Sequence, residues 1–447
     1  MSYKLVVLGD INVGKTAFTI QTSDSTTVVS YKKQVVIDDQ LCVLDVLEAA
    51  GQEEHTPLCD QWIRDGEGFL LVYSISSHST FEQVERLRDQ IVRIKGSKKI
   101  PLILVGNKCG EHVEQEISKE EGMNMAKRLG CEFFESSAKT SINIERPFYT
   151  VVQMIRQKEE KRFKNQIKRE HILFHNYNSF QNIEFIDDGS FGTISRASSK
   201  HHHGLVALKS INIDQKYTFE QLINEAKQHH KVELHSNILR FYGITKEKKH
   251  KKNYMFVLEY ANNGNLCNYL KANFNIMDWG TKLKFAKQIV SAVRHLHENK
   301  IVHRDLHSKN ILIHNGNIKI CDFGISKSLL GPSIEASKGI GTIKYSDPQY
   351  LNDAENYNLT LAIISDVREA IIKGTPRKYA EIYTGNNEKA CWQGKPDSRP
   401  HIHQVMQDLD DVDISDTIED IVSLAYQTNN ELENDDSLHS KELPLLT

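Results

Sequence analysis

The spacing of apolar and polar positions changes character along the chain. Up to about residue 157, short apolar runs ("KLVVL", "LCVLDV", "GFLLVYSI", "LILVG") alternate with stretches of helical spacing such as "FEQVERLRDQIVRIK" and "SKEEGMNMAKRLG". Runs apolar on both faces suit buried parallel strands, and the helices between them would cover the sheet. The alternation predicts an α/β, doubly wound, mostly parallel sheet with its chemistry at the strand C-termini. From Glu145 a helical pattern, "ERPFYTVVQMIRQ", runs into "KEEKRFKNQIKRE". Its dense charges of both signs predict a solvated helical linker over 158–175, with a basic patch for acidic lipid as the alternative. After Asn176 the pattern becomes β-rich over about 180–260 and helical over about 265–410, and the tail 411–447 is acidic. No internal repeat is evident.

Composition narrows the classes. A chain of 447 residues is too long for one core. A net charge of -3 and a pI near 6.7 argue against a nucleic-acid partner held by global basicity. Cysteines 42, 59, 109, 131, 267, 321 and 391 form no CxxC pair, which fits reduced thiols and a cytoplasmic setting. The apolar run Leu5–Leu8 is too short for a signal peptide, no run has the length a bilayer requires, and "KELPLLT" offers no cysteine for prenylation. The expectation is a protein without an intrinsic membrane anchor.

Gly9-Asp10-Ile11-Asn12-Val13-Gly14-Lys15-Thr16 fits GxxxxGK[ST] after a strand and before a helix. Glycines let backbone N–H groups close on phosphate oxygens, Lys15 would reach the β- and γ-phosphates, and the Thr16 hydroxyl would bind Mg²⁺. With "AAGQEE", "GFLLVYSISSHSTFEQV", "LILVGNKC" and "ESSAKT" in order, residues 1–157 resemble the Ras/Rap branch of small GTPases. The resemblance implies an α/β P-loop small-GTPase domain that binds GTP or GDP and meets a regulatory protein. It places Gly51 at the γ-phosphate, Gln52 on the attacking water, and Asn107, Lys108, Ser137, Ala138 and Lys139 around guanine. Four departures stand out. Cys109-Gly110 follows Asn107-Lys108 where the family has a guanine-reading aspartate, with Glu111 the nearest substitute. The first-switch segment is only "TSDSTTVVS", leaving Thr26 or Thr27 for the metal. Glu48 and Ala49 replace Asp and Thr of DTAGQ, and Ile11 stands where the family has glycine beside the γ-phosphate. Losing a hydrogen-bonding base reader lowers discrimination by orders of magnitude, so a degenerate switch is expected.

"IDDGSFGTI", "VALK", "HRDLHSKN", "DFG" and "CWQGKPDSRP" occur in the order of protein kinases, and 176–410 resembles that family, closest to its tyrosine kinase-like group. The resemblance implies an α+β two-lobed fold using ATP and Mg²⁺ on protein substrates. Gly189 and Gly192 would cover the phosphates. Lys209 would contact them, held by Glu225 (or Glu220). Asp305 would take the substrate proton, and Asn310 and Asp322 would hold Mg²⁺. Backbone groups of Glu259 and Ala261 would bind adenine, with Leu258 as gatekeeper. His307 stands where Ser/Thr kinases commonly place lysine, while Gly341-Thr342 matches their P+1 arrangement; Ser326, Ser328, Ser333 and Ser337 are candidate phosphosites. Here too the chain departs. Asp187 replaces the first loop glycine, Gln349 cannot pair with Arg399 as a glutamate would, and the apolar helix expected after "DPQYLNDAENY" is missing, with Ser365-Asp366-Val367 only a fragment of it. A shortened C-lobe is therefore expected.

His201-His202-His203 reads as a polar turn rather than a metal site, Trp62, Trp279 and Trp392 as packing residues, and "DTIEDIVSLAYQ" as solvated chain or a docking helix. The leading expectation is a Ser/Thr-directed protein kinase recruited or regulated by its Ras-like domain. The alternatives are a GTP-binding small GTPase with a remnant kinase domain and a non-catalytic scaffold.

Overall fold

The computed structural model describes residues 2–20, 25–27, 30–38, 40–48, 57–108, 114–189, 192–202, 204–212, 218–247, 253–324, 327–328, 371–384, 391 and 396–418. The chain divides into two compact units, one over Met1–Asn165 and the other over Gln166–Ile213 with Tyr217–Thr447.

The first unit runs β1 (Ser2–Leu8), α1 (Lys15–Ile20), β2 (Ser25–Thr27), β3 (Ser30–Ile37), β4 (Gln40–Glu48), α2 (Pro57–Asp65), β5 (Gly68–Ser74), α3 (His78–Lys95), β6 (Leu102–Asn107), α4 (Lys119–Leu129), β7 (Glu132–Glu135) and α5 (Arg146–Arg169). Its sheet has the order β2-β3-β4-β1-β5-β6-β7. From β4 to β7 the pairing is parallel, and β2 and β3 add an antiparallel edge. Every residue of β5 and β6 is buried, as central strands covered on both faces must be. The period of two splits β1: Leu5 and Val7 enter the core beneath α1 and α5, where the Phe18 and Phe148 rings stack at 5.2 Å, while Val6 and Leu8 enter the core beneath α2 and α3. Truncating Phe148 to alanine would cost about 3–5 kcal/mol by cavity formation. The helix α4 begins in a Ser118/Glu121 capping box and stops at Gly130 in the left-handed conformation. Arg156 of α5 ties down the β3–β4 turn, bonding the Ile37 carbonyl at 2.9 Å and Asp38 at 3.3 Å.

The second unit opens with a six-stranded sheet built from β8 (Phe174–His175), β9 (Phe180–Gly189), β10 (Gly192–Ser199), β11 (Gly204–Asn212), β12 (Phe241–Lys246) and β13 (Asn253–Glu259). The helix α6 (Phe219–Val232), begun by a Thr218/Gln221 capping box, lies between β11 and β12 in sequence. A helical part follows: α7 (Leu266–Asn273), α8 (Trp279–Glu298), the strands β14 (Ile301–Val302), β15 (Ile311–His314), β16 (Asn317–Ile320) and β17 (Lys327–Ser328), then α9 (Arg377–Thr384) and α10 (Ile402–Asp410). The change from β-rich to helical pattern near residue 265 is thus a change of layer. Phe285, Ile289 and Val290 of α8 share one core with Ile311, Ile313, Ile318 and Ile320 of the β15–β16 hairpin and with Tyr379, Tyr383 and Leu409. The predicted linker is helical through Arg169, but it is not wholly solvated, since Phe163 and Ile167, spaced i,i+4, are buried. No helix among the described residues is long and apolar enough to cross a membrane.

Two candidate phosphate sites

In the first unit, β1 ends at Gly9, where a Cβ would collide with the Val72 carbonyl of β5, so the loop can leave the sheet only with glycine there. Gly14 has φ +84 and an added Cβ would lie 2.7 Å from Asn107 Nδ2. The Lys15 ammonium is buried and turns back across the loop, donating to the carbonyls of Gly9 and of Asp10, the latter at 2.8 Å. Thr16 Oγ1 donates to Glu48 Oε1 at 2.6 Å. A carboxylate one methylene longer than aspartate thus engages the hydroxyl directly. Asn107 Nδ2 bonds the Val13 carbonyl at 2.8 Å, and its Oδ1 faces the Ala138 N–H at 3.4 Å. Ser137 and Ala138 are buried beside it, Lys108 has a positive φ of 73, and Lys139 is exposed. The structure therefore brings together Gly9, Gly14, Lys15, Thr16, Asn107, Lys108, Ser137 and Ala138. Gly51, Gln52, Ala49, Cys109, Gly110 and Glu111 lie outside the described residues, as do the side chains of Thr26 and Thr27. Ile11 is half exposed at the loop tip.

In the second unit, β11 carries Lys209 into the space beneath the β9–β10 hairpin. Gly192 faces Gly189 across that hairpin, with φ +151, and a Cβ on it would strike the backbone oxygen of Ser210. Lys209 Nζ is 3.0 Å from Glu225 Oε1 and 2.9 Å from Asp322 Oδ1, with Lys209 only 6% and Glu225 3% exposed. Glu225, rather than Glu220, is the partner. Burial opposes the Lys209 charge, yet the two carboxylates override it and raise its pKa. Burial likewise pushes Asp322 toward its neutral form, but the Lys209 ammonium overcomes this and holds it below the usual carboxylate range.

The loop between β14 and β15 is closed by its own side chains. His303 accepts the Asp305 N–H at Nδ1, 3.3 Å away, and its Nε2 lies 2.9 Å from the Cys321 carbonyl, so Nε2 carries the proton. Asn310 Nδ2 bonds the Asp305 carbonyl at 2.9 Å and its Oδ2 at 3.1 Å. Phe323 is buried between His303 and His229, at ring distances of 5.2 Å and 4.7 Å. Burial lowers the His229 pKa to about 4 and raises the Cys321 thiol to about 12. The latter marks an inert cysteine.

Lys209, Glu225 and Asp322 thus meet in one group and Asp305 and Asn310 in another, with Gly189 and Gly192 in the hairpin. Glu259 ends β13; its backbone N–H is engaged by the Arg240 carbonyl at 2.9 Å and its carboxylate by Lys319 at 2.8 Å, so its N–H is not open to adenine. Ala261 is half-buried just beyond, and Leu258 is buried. Asp187 is exposed, with its carboxylate turned onto the Asp188 N–H. Ser326, Ser333, Ser337, Gly341, Thr342, Asp347, Gln349, Ser365, Asp366, Val367 and Trp392, with the segment expected to lack its apolar helix, lie outside the described residues. Trp62 is buried, Trp279 packs on Tyr379, and His202 stacks on Tyr242 at 4.2 Å, consistent with packing roles. No cluster of three metal-binding side chains of the His, Cys, Asp or Glu type occurs among the described residues.

Two features went unread in the sequence. The Thr16–Glu48 bond has a signal in the sequence, a glutamate where an aspartate would be one methylene shorter. His229 lies one helical turn beyond Glu225, a spacing that puts both on one face of α6.

Comparison with known proteins finds relatives for both parts of the chain. A profile of the Ras family matches residues 4–157, and a protein kinase domain profile matches 180–365. Ras-like protein 1 of Pyricularia oryzae is 50% identical over 184 residues, 35% of this chain and 76% of its own. Protein ras-2 of Neurospora crassa is 50% identical over 185 residues, covering 35% and 81%. Ras-like protein B of Aspergillus fumigatus is 49% identical over 189 residues, covering 35% and 79%.

Proposed function

The chain belongs to the Ras family and carries a protein kinase domain behind its Ras domain, and we propose that the kinase domain is the part that turns over. The reaction is transfer of the ATP γ-phosphoryl group to serine or threonine hydroxyls of proteins in the cytoplasm. The Ras domain recruits or regulates it through a protein partner. The observation that carries this reading is the buried Lys209–Glu225–Asp322 group set beside Asp305 and Asn310.

Phosphoryl transfer asks a protein mainly for positioning and charge neutralisation. The β9–β10 hairpin lies over the phosphates, and Lys209, kept cationic by its two carboxylates, holds their oxygens. The substrate hydroxyl oxygen bonds to the γ-phosphorus as the bond to the bridging oxygen of ADP breaks, and the hydroxyl proton passes to Asp305. Mg²⁺, for which the Asp322 carboxylate and the Asn310 amide oxygen are suitable hard donors, would screen the phosphate charge. The buried Lys209 cannot be replaced by a neutral group without losing the phosphate contact.

In the Ras domain, Lys15 and Thr16 would hold the phosphates of GTP or GDP, with the Thr16 hydroxyl and Glu48 carboxylate offering oxygen to a hard cation. Missing the guanine-reading aspartate, this domain binds nucleotide with reduced base preference and hydrolyses GTP poorly.

The test is transfer from γ-labelled ATP with Mg²⁺ to a generic protein substrate by the full-length chain, beside Asp305→Asn. Label on phosphoserine and phosphothreonine that drops by about 10³-fold or more in the variant supports the reading. Label on phosphotyrosine would move the substrate class. No transfer by the folded wild type leaves the non-catalytic scaffold.

A further inference from the structure

His307 has a geometry that none of the roles above uses. It precedes the short 3-10 turn Ser308–Asn310 and caps it, its Nδ1 accepting the Lys309 N–H at 3.2 Å. A ring nitrogen that accepts a hydrogen bond carries no proton, so the neutral ring has its N–H at Nε2. That Nε2 lies 3.6 Å from Oδ1 of Asp305. The other carboxylate oxygen, Oδ2, is held by Asn310 Nδ2 at 3.1 Å. Each oxygen of Asp305 thus faces a donor of its own, one from either side along the loop. An ionised carboxylate offers about four lone-pair sites, so room remains for a substrate hydroxyl.

Resting on the kinase reading, we infer that His307 is a positioning residue that fixes the plane of the Asp305 carboxylate. It presents Nε2–H to Oδ1 while Asn310 holds Oδ2. Asp305 then meets the incoming hydroxyl in one orientation instead of a set of rotamers. At 3.6 Å the two atoms stand just outside hydrogen-bond distance, and the proposal requires this contact to close with substrate in the cleft, as catalytic hydrogen bonds do on binding. An imidazole suits the position because its two nitrogens do two jobs: one caps the turn and the other faces the carboxylate. Lysine has donors but no acceptor for the Lys309 N–H, and asparagine has the cap but too short a reach.

The two jobs can be separated by substitution. His307→Asn keeps an acceptor at the capping position and removes the donor toward Asp305. His307→Gln keeps a long-reach N–H and weakens the cap. Both are measured in the full-length chain for melting temperature and for kcat and KM with ATP. The expected result for His307→Asn is an unchanged melting temperature, a KM for ATP within about twofold, and a kcat lower by about 10- to 100-fold, the scale of a misplaced catalytic group. His307→Gln should retain more of kcat although it melts earlier. A wild-type kcat in His307→Asn overturns the inference, and so does a kcat that follows melting temperature across both variants. A wild type no more active than Asp305→Asn fails differently: it removes the kinase reading itself and this inference with it.

Discussion

Replacing Lys209 by methionine would leave Glu225 and Asp322 facing an apolar side chain where an ammonium now stands 3.0 Å and 2.9 Å from them. Removing one partner of a buried ion pair costs about 3–5 kcal/mol, because the charge left behind is neither solvated nor paired. Asp322 keeps the Gly324 N–H at 3.3 Å and is 19% exposed at its side chain, so the lower end, about 3 kcal/mol, applies near neutral pH. In a domain of this size that corresponds to a melting temperature lower by about 6–12 °C. The deficit should also depend on pH, with a definite sign. Without the cation, the two carboxylates repel, and one of them acquires a pKa above its unfolded value of about 4. Between those two values the folded variant binds a proton that the unfolded chain does not, so its stability falls as pH rises. The gap between variant and wild type should therefore narrow on going from about pH 7.5 to about pH 5.5. Scanning calorimetry of both proteins at the two pH values reads this. A variant that melts with wild type at pH 7.5, or falls further behind at pH 5.5, refutes the argument.

His229, with a folded pKa of about 4 against an unfolded value of about 6.5, should make the kinase unit lose up to about 3 kcal/mol as pH falls through that window, because only the unfolded chain takes up the proton. Burial lowers His303 as well and adds in the same direction. Urea unfolding at several pH values should show this slope, and His229→Phe should flatten it. In the Ras domain, Asn107→Ala leaves the Val13 carbonyl without its 2.8 Å partner beneath the phosphate loop. The loss should destabilise this unit by about 1–3 kcal/mol and weaken nucleotide binding, read by melting and by titration with a fluorescent nucleotide; unchanged values for both would contradict the role given to Asn107.

How much could be read from the chain differed by element. β5 and β6 announce themselves as continuous apolar runs because both faces of each are covered, and β1 is so from Leu5 onward, whereas β4 is buried only at alternate positions, Cys42, Leu44 and Val46. The strand β7 is four residues with charged ends and β2 is three, too short for any period to emerge. Lys209 and Asp322 are legible because each sits in a short motif, VALK and DFG, whereas a lone helix glutamate carries no such mark and leaves Glu225 and Glu220 open until the geometry decides. The orientation of His307 and the tilted contact of His229 with Phe323 are not, since they depend on which way a ring turns once the loop has closed. Glu259 shows the same limit, for its backbone N–H is used by Arg240, a residue nineteen positions away.

The loop between β14 and β15 is also a short piece of polymer. Its bonds join His303 to Cys321, Asp305 to His303, Asn310 to Asp305 and Cys321 to Asn310, so none spans more than eighteen residues. Loop-closure entropy grows with the logarithm of the span, and contacts this local are cheap to form and form early. The arrangement that orients Asp305 and Asn310 thus resides in a segment of some twenty residues closed on itself. An insertion or deletion further along the chain withdraws none of these four bonds.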